Sequence, residues 1–451
     1  MYTRLLFLFH EDPMKKKGKK KENFFQKYII KAPIDINLVL VILFLNIFGI
    51  IMIYSASYYY AVSAYNYAPT HFMKKQIIYV FIGFIAMFLL SYVPAERYEF
   101  FCFLPLLLAF VIILCVRVPG LGHASHGAYR WINIFHVNIQ IAEPVKLFCI
   151  AFLASFMTRY KITKPKIYLF IFGVFFAIAA LLLFVSNNMS TAMIVFLMMF
   201  FTFFIMYPKQ RGMIILMIIG ISAAIIGLVV INRFIPYKET ENFRITRIRA
   251  WLNPTNELYA DDEAYQAMQA RYAIGSGGFF GKGLGKSLIK FKLPEPHNDY
   301  ILSIVFEELG IFGVIVLTFL YIYLFFKIFM IYVRSRDRYS RIFVLGVFFH
   351  LALQVLMNYA VTLGFLPTMG VTLPFISAGG SSATLTLAEL GVVLSVDRMN
   401  TKNAIYEEAE TELQKEDPYY RQLKEEKEAR QKVREQNIRK KTAAKRKAAN
   451  R

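Results

Sequence analysis

Acidic residues are scarce in this sequence: 30 Asp and Glu stand against 52 Lys and Arg over 451 residues, and charged residues of both signs make up only 18%. That is too little charge to clothe soluble domains of ordinary composition. With 57% hydrophobic residues and a mean hydropathy of +0.46, the chain reads as a polytopic membrane protein. Cysteine is nearly absent: Cys102, Cys115 and Cys149 all fall inside apolar runs, which excludes a disulfide framework and a cysteine-based metal spacing. A cleavable signal peptide is not expected either. The apolar patch in "MYTRLLFLFHEDPMKKK" is short and no small-residue cleavage site follows it, so the first apolar run is expected to serve as the anchor.

What is present is a series of ten apolar runs, at about 36–57, 76–93, 98–116, 142–158, 166–186, 188–207, 213–236, 300–333, 342–366 and 372–397. About 20 apolar residues let an α-helix cross roughly 30 Å of hydrocarbon. The runs lack the alternation of barrel strands, and backbone polar groups cannot stay unpaired in lipid, so helices are the expected element. The expected fold is an all-α polytopic membrane protein of about ten transmembrane helices. The net charge of +22 is concentrated in Lys15–Lys20, in the terminal "IRKKTAAKRKAANR" and in the short connections "RYKITKPK", "YPKQR" and "RSRDRYSR". This bias puts both termini and those connections on the cytoplasmic side. Orientation and attraction to anionic lipid account for the basic runs; no motif or aromatic interleaving points to nucleic acid. The expected organisation is a basic cytoplasmic segment at 1–35, a membrane domain at 36–397 with a large external loop at 236–299, and a basic cytoplasmic tail at 398–451. Within the tail, "YYRQLKEEKEARQKVREQNIRKK" reads as an exposed helix with i,i+4 pairs or as a disordered arm.

Two connections are long, from about Arg117 to Gln140 and from about Pro236 to Asn298, and both are expected outside. The second is too long for a mere link, so function is expected there. Its glycine-rich part, "AIGSGGFFGKGLGKS", fails as a nucleotide-binding motif. A P-loop ending at Gly285-Lys286-Ser287 and a G-x-G-x-x-G starting at Gly275 both need glycine where Phe280 stands. A flexible loop and a backbone-lined cradle for an anion, with Lys282, Lys286, Lys290 and Lys292 around it, remain as alternatives. In "HASHGAYRWINIFH", His123, His126 and His136 have no cysteine or carboxylate at ligand spacing. A solvated loop with Trp131 at the interface is expected there rather than a metal site.

Charges inside the apolar runs weigh more, because a lone ionised side chain in lipid costs several kcal/mol and needs a partner or a cavity. Glu143 and Lys146 lie three apart, on one helical face at the outer start of the fourth run. Asp299 stands at the mouth of the eighth run, with Glu307 and Glu308 roughly 12–14 Å deeper. Structural ion pairs and a catalytic or transport site are both open for these groups, and Asp299 or Asn298 has the alternative of N-capping the eighth helix. The polar turn "VSNNMST" and the segment "LPFISAGGSS" fall on the same external half. A transporter would string its charges toward the midplane and beyond, whereas a site at one leaflet suits chemistry on a lipid-borne substrate.

The segments "MIYSAS", "RWINI", "QIAEPVKL", "RIRAWLNP", "YQAMQARYAIGSGGFFGKGLGKS", "LPEPHNDYILSIVFEELGIFG" and "GFLPTMGVTLPFISAGGSS", in this order on ten runs, resemble the SEDS (shape, elongation, division and sporulation) family, which includes FtsW and RodA. The resemblance implies a peptidoglycan glycosyltransferase that polymerises lipid II, the undecaprenyl pyrophosphate-linked disaccharide peptide, on the outer face of the cytoplasmic membrane. It also implies a class B penicillin-binding protein transpeptidase and other divisome proteins as partners. "HNDYI" and "LPTMGVTLPFIS" look more like FtsW than RodA, which implies septal rather than lateral synthesis. By the same resemblance Asp299 matches the family's essential aspartate, and Glu143 with Lys146 matches its charged pair. There are departures: the proline-serine of "QPSE" is Ile141-Ala142, the "PDLGT" motif is Asn187 to Thr191 without its acid, and the tyrosine of "ISYGGSS" is Ala378.

Physical chemistry then assigns expected roles. Forming a β-1,4 bond from an α-linked pyrophosphate donor is an inversion, so one general base on the acceptor hydroxyl is enough, and Asp299 is expected to be that base. The leaving pyrophosphate needs cationic stabilisation, for which Lys146 stands first, beside Glu143, with Arg247 and Lys286 after it. His297 and Asn298 are expected to position sugar or Asp299, and Glu308 to balance the charge of the cavity. A divalent cation would serve the same end as the basic residues, and the sequence names no cofactor. The competing readings are a lipid II flippase, a RodA-type elongation polymerase, and a non-catalytic scaffold acting through the basic tail.

Overall fold

The computed structural model describes residues 32–416 apart from 126–127, 135–136, 161, 163–164, 208–210, 235–242 and 255–263, with a few isolated positions of the tail beyond. Residues 1–31 of the basic segment, and nearly all of the tail sequence singled out above, lie outside the described residues, as do His126 and His136.

One helix covers each apolar run: α1 (Ile36–Tyr65), α2 (His71–Ser91), α3 (Leu104–Cys115), α4 (Ala142–Arg159), α5 (Pro165–Phe184), α6 (Met189–Met206) and α7 (Arg211–Phe234). The large connection contributes α8 (Phe243–Leu252) and α9 (Tyr265–Gly277), and the chain continues with α10 (Ile301–Arg334), α11 (Arg338–Thr362) and α12 (Gly380–Glu416). Among the described residues seven helices are long and apolar enough to cross a membrane. The other three covering apolar runs depart for visible reasons. Helix α3 has 12 residues, α4 carries Glu143, Lys146 and Arg159, and α12 carries Glu389 and Asp397.

Three expectations need correction. The connection after α3 is not an irregular loop but a three-stranded antiparallel sheet, β1 (Gly122–Ser125), β2 (Ala128–Ile134) and β3 (Val137–Gln140), in the order β1-β2-β3. Its β2 sequence, "AYRWINI", is rich in aromatic and β-branched residues that favour strands, and Ile132 packs on Val116 and Ile141 at the roots of α3 and α4. The tenth run does not start as a helix at 372. Residues 366–379 form a non-helical strap across the bundle, turning at Pro374–Ile376, where the Ile376 and Ser377 N–H groups both donate to Leu373 O, and α12 begins only at Gly380.

The third correction concerns α10, which is one run in sequence but two pieces in space, because Gly310 breaks it with φ 68° and ψ −168°. A β-carbon there would sit 2.3 Å from the Phe279 carbonyl oxygen, so only glycine lets the loop after α9 lie against the break. Helix α11 is the central post, packing against α4, α6, α10 and α12, and α12 runs along α2.

Candidate active site

The glycine-rich loop after α9 does form an anion cradle, and the anions it holds are the chain's own glutamates. Lys282 and Gly283 donate backbone N–H bonds to the carbonyls of Glu307 and Glu308, both 2.9 Å, and Ile311 and Phe312 return bonds to Gly278 and Phe279 across the break at Gly310. The Glu307 carboxylate accepts from the backbone of Leu288 (3.1 Å) and Ile289 (3.2 Å), from the Ser287 hydroxyl, and from Lys282 Nζ (2.7 Å). The Glu308 carboxylate accepts from Ser55 Oγ (2.5 Å), the Ser287 N–H (3.2 Å) and Lys290 Nζ (3.1 Å). Both acids are wholly buried. Two ionised carboxylates are thus paired and hydrogen-bonded at membrane depth, which is what makes them tolerable there.

Beyond the short 3₁₀ turn Ile289–Phe291 the chain reaches Asp299 just before α10. A tight turn precedes it, with Asn298 donating its backbone N–H to Glu295 O (3.0 Å) and its amide to Glu295 Oε2 (2.6 Å). The N-cap of α10 is Tyr300, and it makes no side-chain capping bond. Neither Asn298 nor Asp299 therefore caps the helix, and the Asp299 carboxyl is left for other work. It is half-buried and turned toward Arg130 of β2. A β-carbon at Gly370 of the strap would lie 3.2 Å from Asp299 Oδ2 and 3.5 Å from Arg130 Nη1.

Burial pushes the Asp299 carboxyl up to about 6; Arg130 opposes the rise, Glu295 adds to it and Arg247 opposes it more weakly. Burial likewise lowers the Arg130 guanidinium, Asp299 holding it up. Arg130 Nε has no hydrogen-bond partner among the described residues. Arg130 and Arg247 share a small cavity of about 30 Å³ with Asn187, Met189 and Thr368. Arg247 Nη1 reaches Thr368 O at 3.5 Å and Trp251 Nε1 donates to Gly364 O at 2.8 Å, so α8 is laid along the strap. The cavity has room for a water or two, and a diphosphate entering it would need the walls to part.

The strap is pinned to the same corner. Asn358 Nδ2 donates to the backbone carbonyls of Asp299 (2.8 Å) and Val371 (2.7 Å), Ser377 Oγ donates to Asn298 O (2.8 Å), and the Ala378 N–H donates to His297 O (2.9 Å). His297 is 3% exposed, its ring lies 4.3 Å from Phe72 and 5.4 Å from Tyr60 between centroids, and its Nδ1 has no partner among the described residues. Burial lowers it to about 4, so it is a neutral ring near neutral pH.

One turn deeper along α11, Gln354 occupies the position that Asn358 has above it, about 6 Å away at 1.5 Å per residue. Its Oε1 accepts from Lys146 Nζ (2.8 Å) and contacts His350 Nε2 (3.0 Å), while its Nε2 donates to Thr372 O and Oγ1, both 3.1 Å. Lys146 also donates to Glu143 Oε1 (2.9 Å), and His350 Nδ1 lies 2.8 Å from Glu389 Oε2. Lys146 and Glu143 are 2% and 3% exposed, His350 0% and Glu389 1%.

The structure thus brings Asp299, His297 and Asn298 into one turn, sets Arg247 at its flank and puts Lys146 with Glu143 below it. Glu308 belongs to the loop cradle, and Lys286 is exposed on the turn at Gly283. Sequence reasoning missed Arg130, Gln354, Asn358, His350 and Glu389. The rule that singled out Glu143 applies equally to Glu389, an acid inside an apolar run. Arg130 carried no such signal. Asn188, where the family motif has an acid, caps α6 by accepting from the Thr191 N–H at 3.1 Å. Among the described residues no three His, Cys, Asp or Glu side chains gather as a metal-ligand group.

Comparison with known proteins follows the same outline. The profile of the FtsW/RodA/SpoVE family, described as cell cycle protein, matches residues 36–402. Stage V sporulation protein E of Bacillus subtilis (strain 168) is 34% identical over 373 residues, 82% of this chain and 98% of that protein. The probable peptidoglycan glycosyltransferase FtsW of Geobacter sp. (strain M18) is 32% identical over 364 residues, covering 80% of this chain and 96% of the relative. Among solved structures, a chain from a peptidoglycan synthase complex that coordinates polymerization and crosslinking superposes with a TM-score of 0.65 at 23% identity, over 81% of this chain and 98% of the other. The rod shape determining protein RodA of Thermus thermophilus gives 0.58 at 23% identity, over 81% and 97%.

Proposed function

From the premise that this chain belongs to the FtsW/RodA/SpoVE family and is a multi-pass membrane peptidoglycan glycosyltransferase, we propose that it polymerises lipid II at the outer face of the cytoplasmic membrane by an inverting transfer with Asp299 as general base. The observation that carries this reading is the state of Asp299. Its carboxyl is half-buried, caps nothing, and is raised to about 6 beside two arginines. A base in that range is ionised at neutral pH yet strong enough to take a proton in the transition state.

The acceptor's 4-hydroxyl gives its proton to Asp299 as the hydroxyl oxygen attacks the donor's anomeric carbon from the face opposite the pyrophosphate. The C–O bond to pyrophosphate breaks with inversion, and no covalent sugar intermediate is needed. Negative charge then grows on the leaving group. Arg130 and Arg247 are the cations lining the cavity beside Asp299. Lys146, one turn deeper, is buried against Glu143 at 2.9 Å and supports the site through its bond to Gln354 rather than by free charge. His297, neutral and packed between aromatic rings, serves to hold the Asp299 turn, together with Asn298 and Asn358.

The finer biological role follows the same reading: septal synthesis during division, with a class B penicillin-binding protein as transpeptidase and further divisome partners. Support comes from the FtsW-like segments around Asp299 and from the FtsW names of several relatives. The test is lipid II polymerisation by the purified full-length protein with its transpeptidase, wild type against Asp299→Ala. Glycan polymer from a well-folded Asp299→Ala protein would remove Asp299 as the base. Lipid II translocation without polymer would replace the polymerase with a flippase.

A further inference from the structure

We infer that His350 and Glu389 are positioning residues for the glycosyl transfer, sharing one proton between them and acting through Gln354 on Lys146 and on the strap behind Asp299. The inference rests on Asp299 lying at the reaction centre.

The hydrogen-bond pattern fixes the protons. Gln354 Nε2 faces the carbonyl oxygen and hydroxyl of Thr372, so Gln354 Oε1 must face Lys146 and His350. The reverse placement would set an amide oxygen against the Thr372 carbonyl and an N–H group against the ammonium. Gln354 Oε1 only accepts, so the His350 Nε2 lying 3.0 Å away carries a hydrogen and donates it. On the far side of the ring, Nδ1 and Glu389 Oε2 are 2.8 Å apart. Two lone pairs at that separation repel, so a proton lies between them, either as imidazolium and carboxylate or as imidazole and carboxylic acid. The pair is neutral overall in both forms. Glu143 and Lys146 cancel as well, and the five-residue string from Glu143 to Glu389 carries no net charge where burial would penalise one.

The consequence concerns the tautomer of a single ring. Without Glu389 a neutral His350 is free to carry its hydrogen on Nδ1, which would turn the Nε2 lone pair onto Gln354 Oε1. Gln354 would swing away, and Lys146 and Thr372 would each lose a partner. Thr372 is two residues from Gly370, which backs Asp299 and Arg130, and it is adjacent to Val371, which Asn358 ties to the Asp299 carbonyl. Glu389, three contacts from Thr372 by way of His350 and Gln354, thereby sets where the catalytic corner sits.

The experiment is steady-state lipid II polymerisation by the full-length protein with its transpeptidase, together with melting temperature, for E389A, E389M, E389Q and D299A. E389M fills the vacated space and takes the place of E389A where the smaller side chain does not accumulate in membranes. Loss of tautomer control lowers kcat roughly 10- to 100-fold in the folded protein with KM within about threefold, the scale of an ångström-sized misplacement. E389Q, whose amide N–H can donate to His350 Nδ1 and keep the hydrogen on Nε2, restores kcat to within about threefold of wild type. Equal impairment of E389Q and E389M, or full kcat in a folded E389M, overturns the inference. Full activity of D299A would instead remove the reading of the site on which it rests, whereas an inactive D299A with a fully active E389M removes the positioning role alone.

Discussion

Asp299→Asn separates what the carboxylate does for the reaction from what its burial costs the fold. Burial pushes the folded-state carboxyl up to about 6 from an ordinary 3.8, against the opposing charges of Arg130 and Arg247. Between those two pH values the folded protein keeps a proton that the unfolded chain has released. Asp299 therefore favours the folded state least at neutral pH: its contribution is best below about 3.8, declines as pH rises through about 6, and stays low above. A displacement of this size corresponds to about 3 kcal/mol, an order-of-magnitude figure for a group that is only half-buried. Asparagine has nearly the same volume and no charge, so the variant is expected to melt higher than wild type at pH 7.5 and alongside it near pH 4. Its polymerisation rate is expected to fall by roughly 10²- to 10⁴-fold, the usual contribution of a positioned general base. In the wild type, kcat/KM should climb about tenfold per pH unit and level off above about 6. A rate independent of pH between 5 and 7, or robust polymer from the asparagine variant, would refute the base. A lower melting temperature at pH 7.5 would refute the account of its burial.

Other perturbations test the surroundings. Arg130→Gln removes the largest influence opposing burial at Asp299, so the inflection of the pH–rate profile should move upward and kcat should drop by roughly 10²-fold as the leaving group loses a cation; an unmoved inflection would separate Arg130 from Asp299. Gly310→Ala puts a β-carbon 2.3 Å from the Phe279 carbonyl at a φ of 68°, and should cost more than about 2 kcal/mol, read as a lower melting temperature and protease cleavage between 278 and 292. Lys290→Met leaves Glu308 buried without its cation and should cost roughly 3–5 kcal/mol of stability, part of which a second change, Glu308→Gln, returns.

Much of the fold was legible because the bilayer imposes a length and a composition that show directly in sequence, and each of the ten apolar runs is covered by a helix. The features that escaped depend on what lies across the bundle. Nothing in "VTLPFISAGG" distinguishes a helix start from a strap until Asn358, Gln354 and Ser377 are seen to take its backbone groups. At the site, Asp299, His297 and Asn298 were legible because they crowd one turn. Arg130 was not, since an arginine in a connecting segment is ordinary, and only the place of β2 in the sheet, with its carbonyl taken by the Ile141 N–H, brings it to Asp299. His350 and Glu389 are 39 residues apart on different helices, and their pairing is a fact of α11 meeting α12.

The acids inside "LPEPHNDYILSIVFEELG" bear on Asp299 through the break in α10. Were α10 continuous through Gly310, the direction of its first three turns would be fixed by the apolar packing of the long second piece. The break frees residues 301–309 from that constraint, and something else must then orient them. Glu307 and Glu308 do so, since their carbonyls and carboxylates together receive the backbone N–H groups of Lys282, Gly283, Ser287, Leu288 and Ile289. The short helix is clamped at its inner end by the loop, and at its outer end by Asn358 on the Asp299 carbonyl and Ser377 on the Asn298 carbonyl. Asp299 is thus aimed by a rigid rod of about 13 Å held at both ends. The depth of the glutamates in the membrane strengthens the inner clamp, because in so apolar a setting neither carboxylate has water to turn to if the loop lets go.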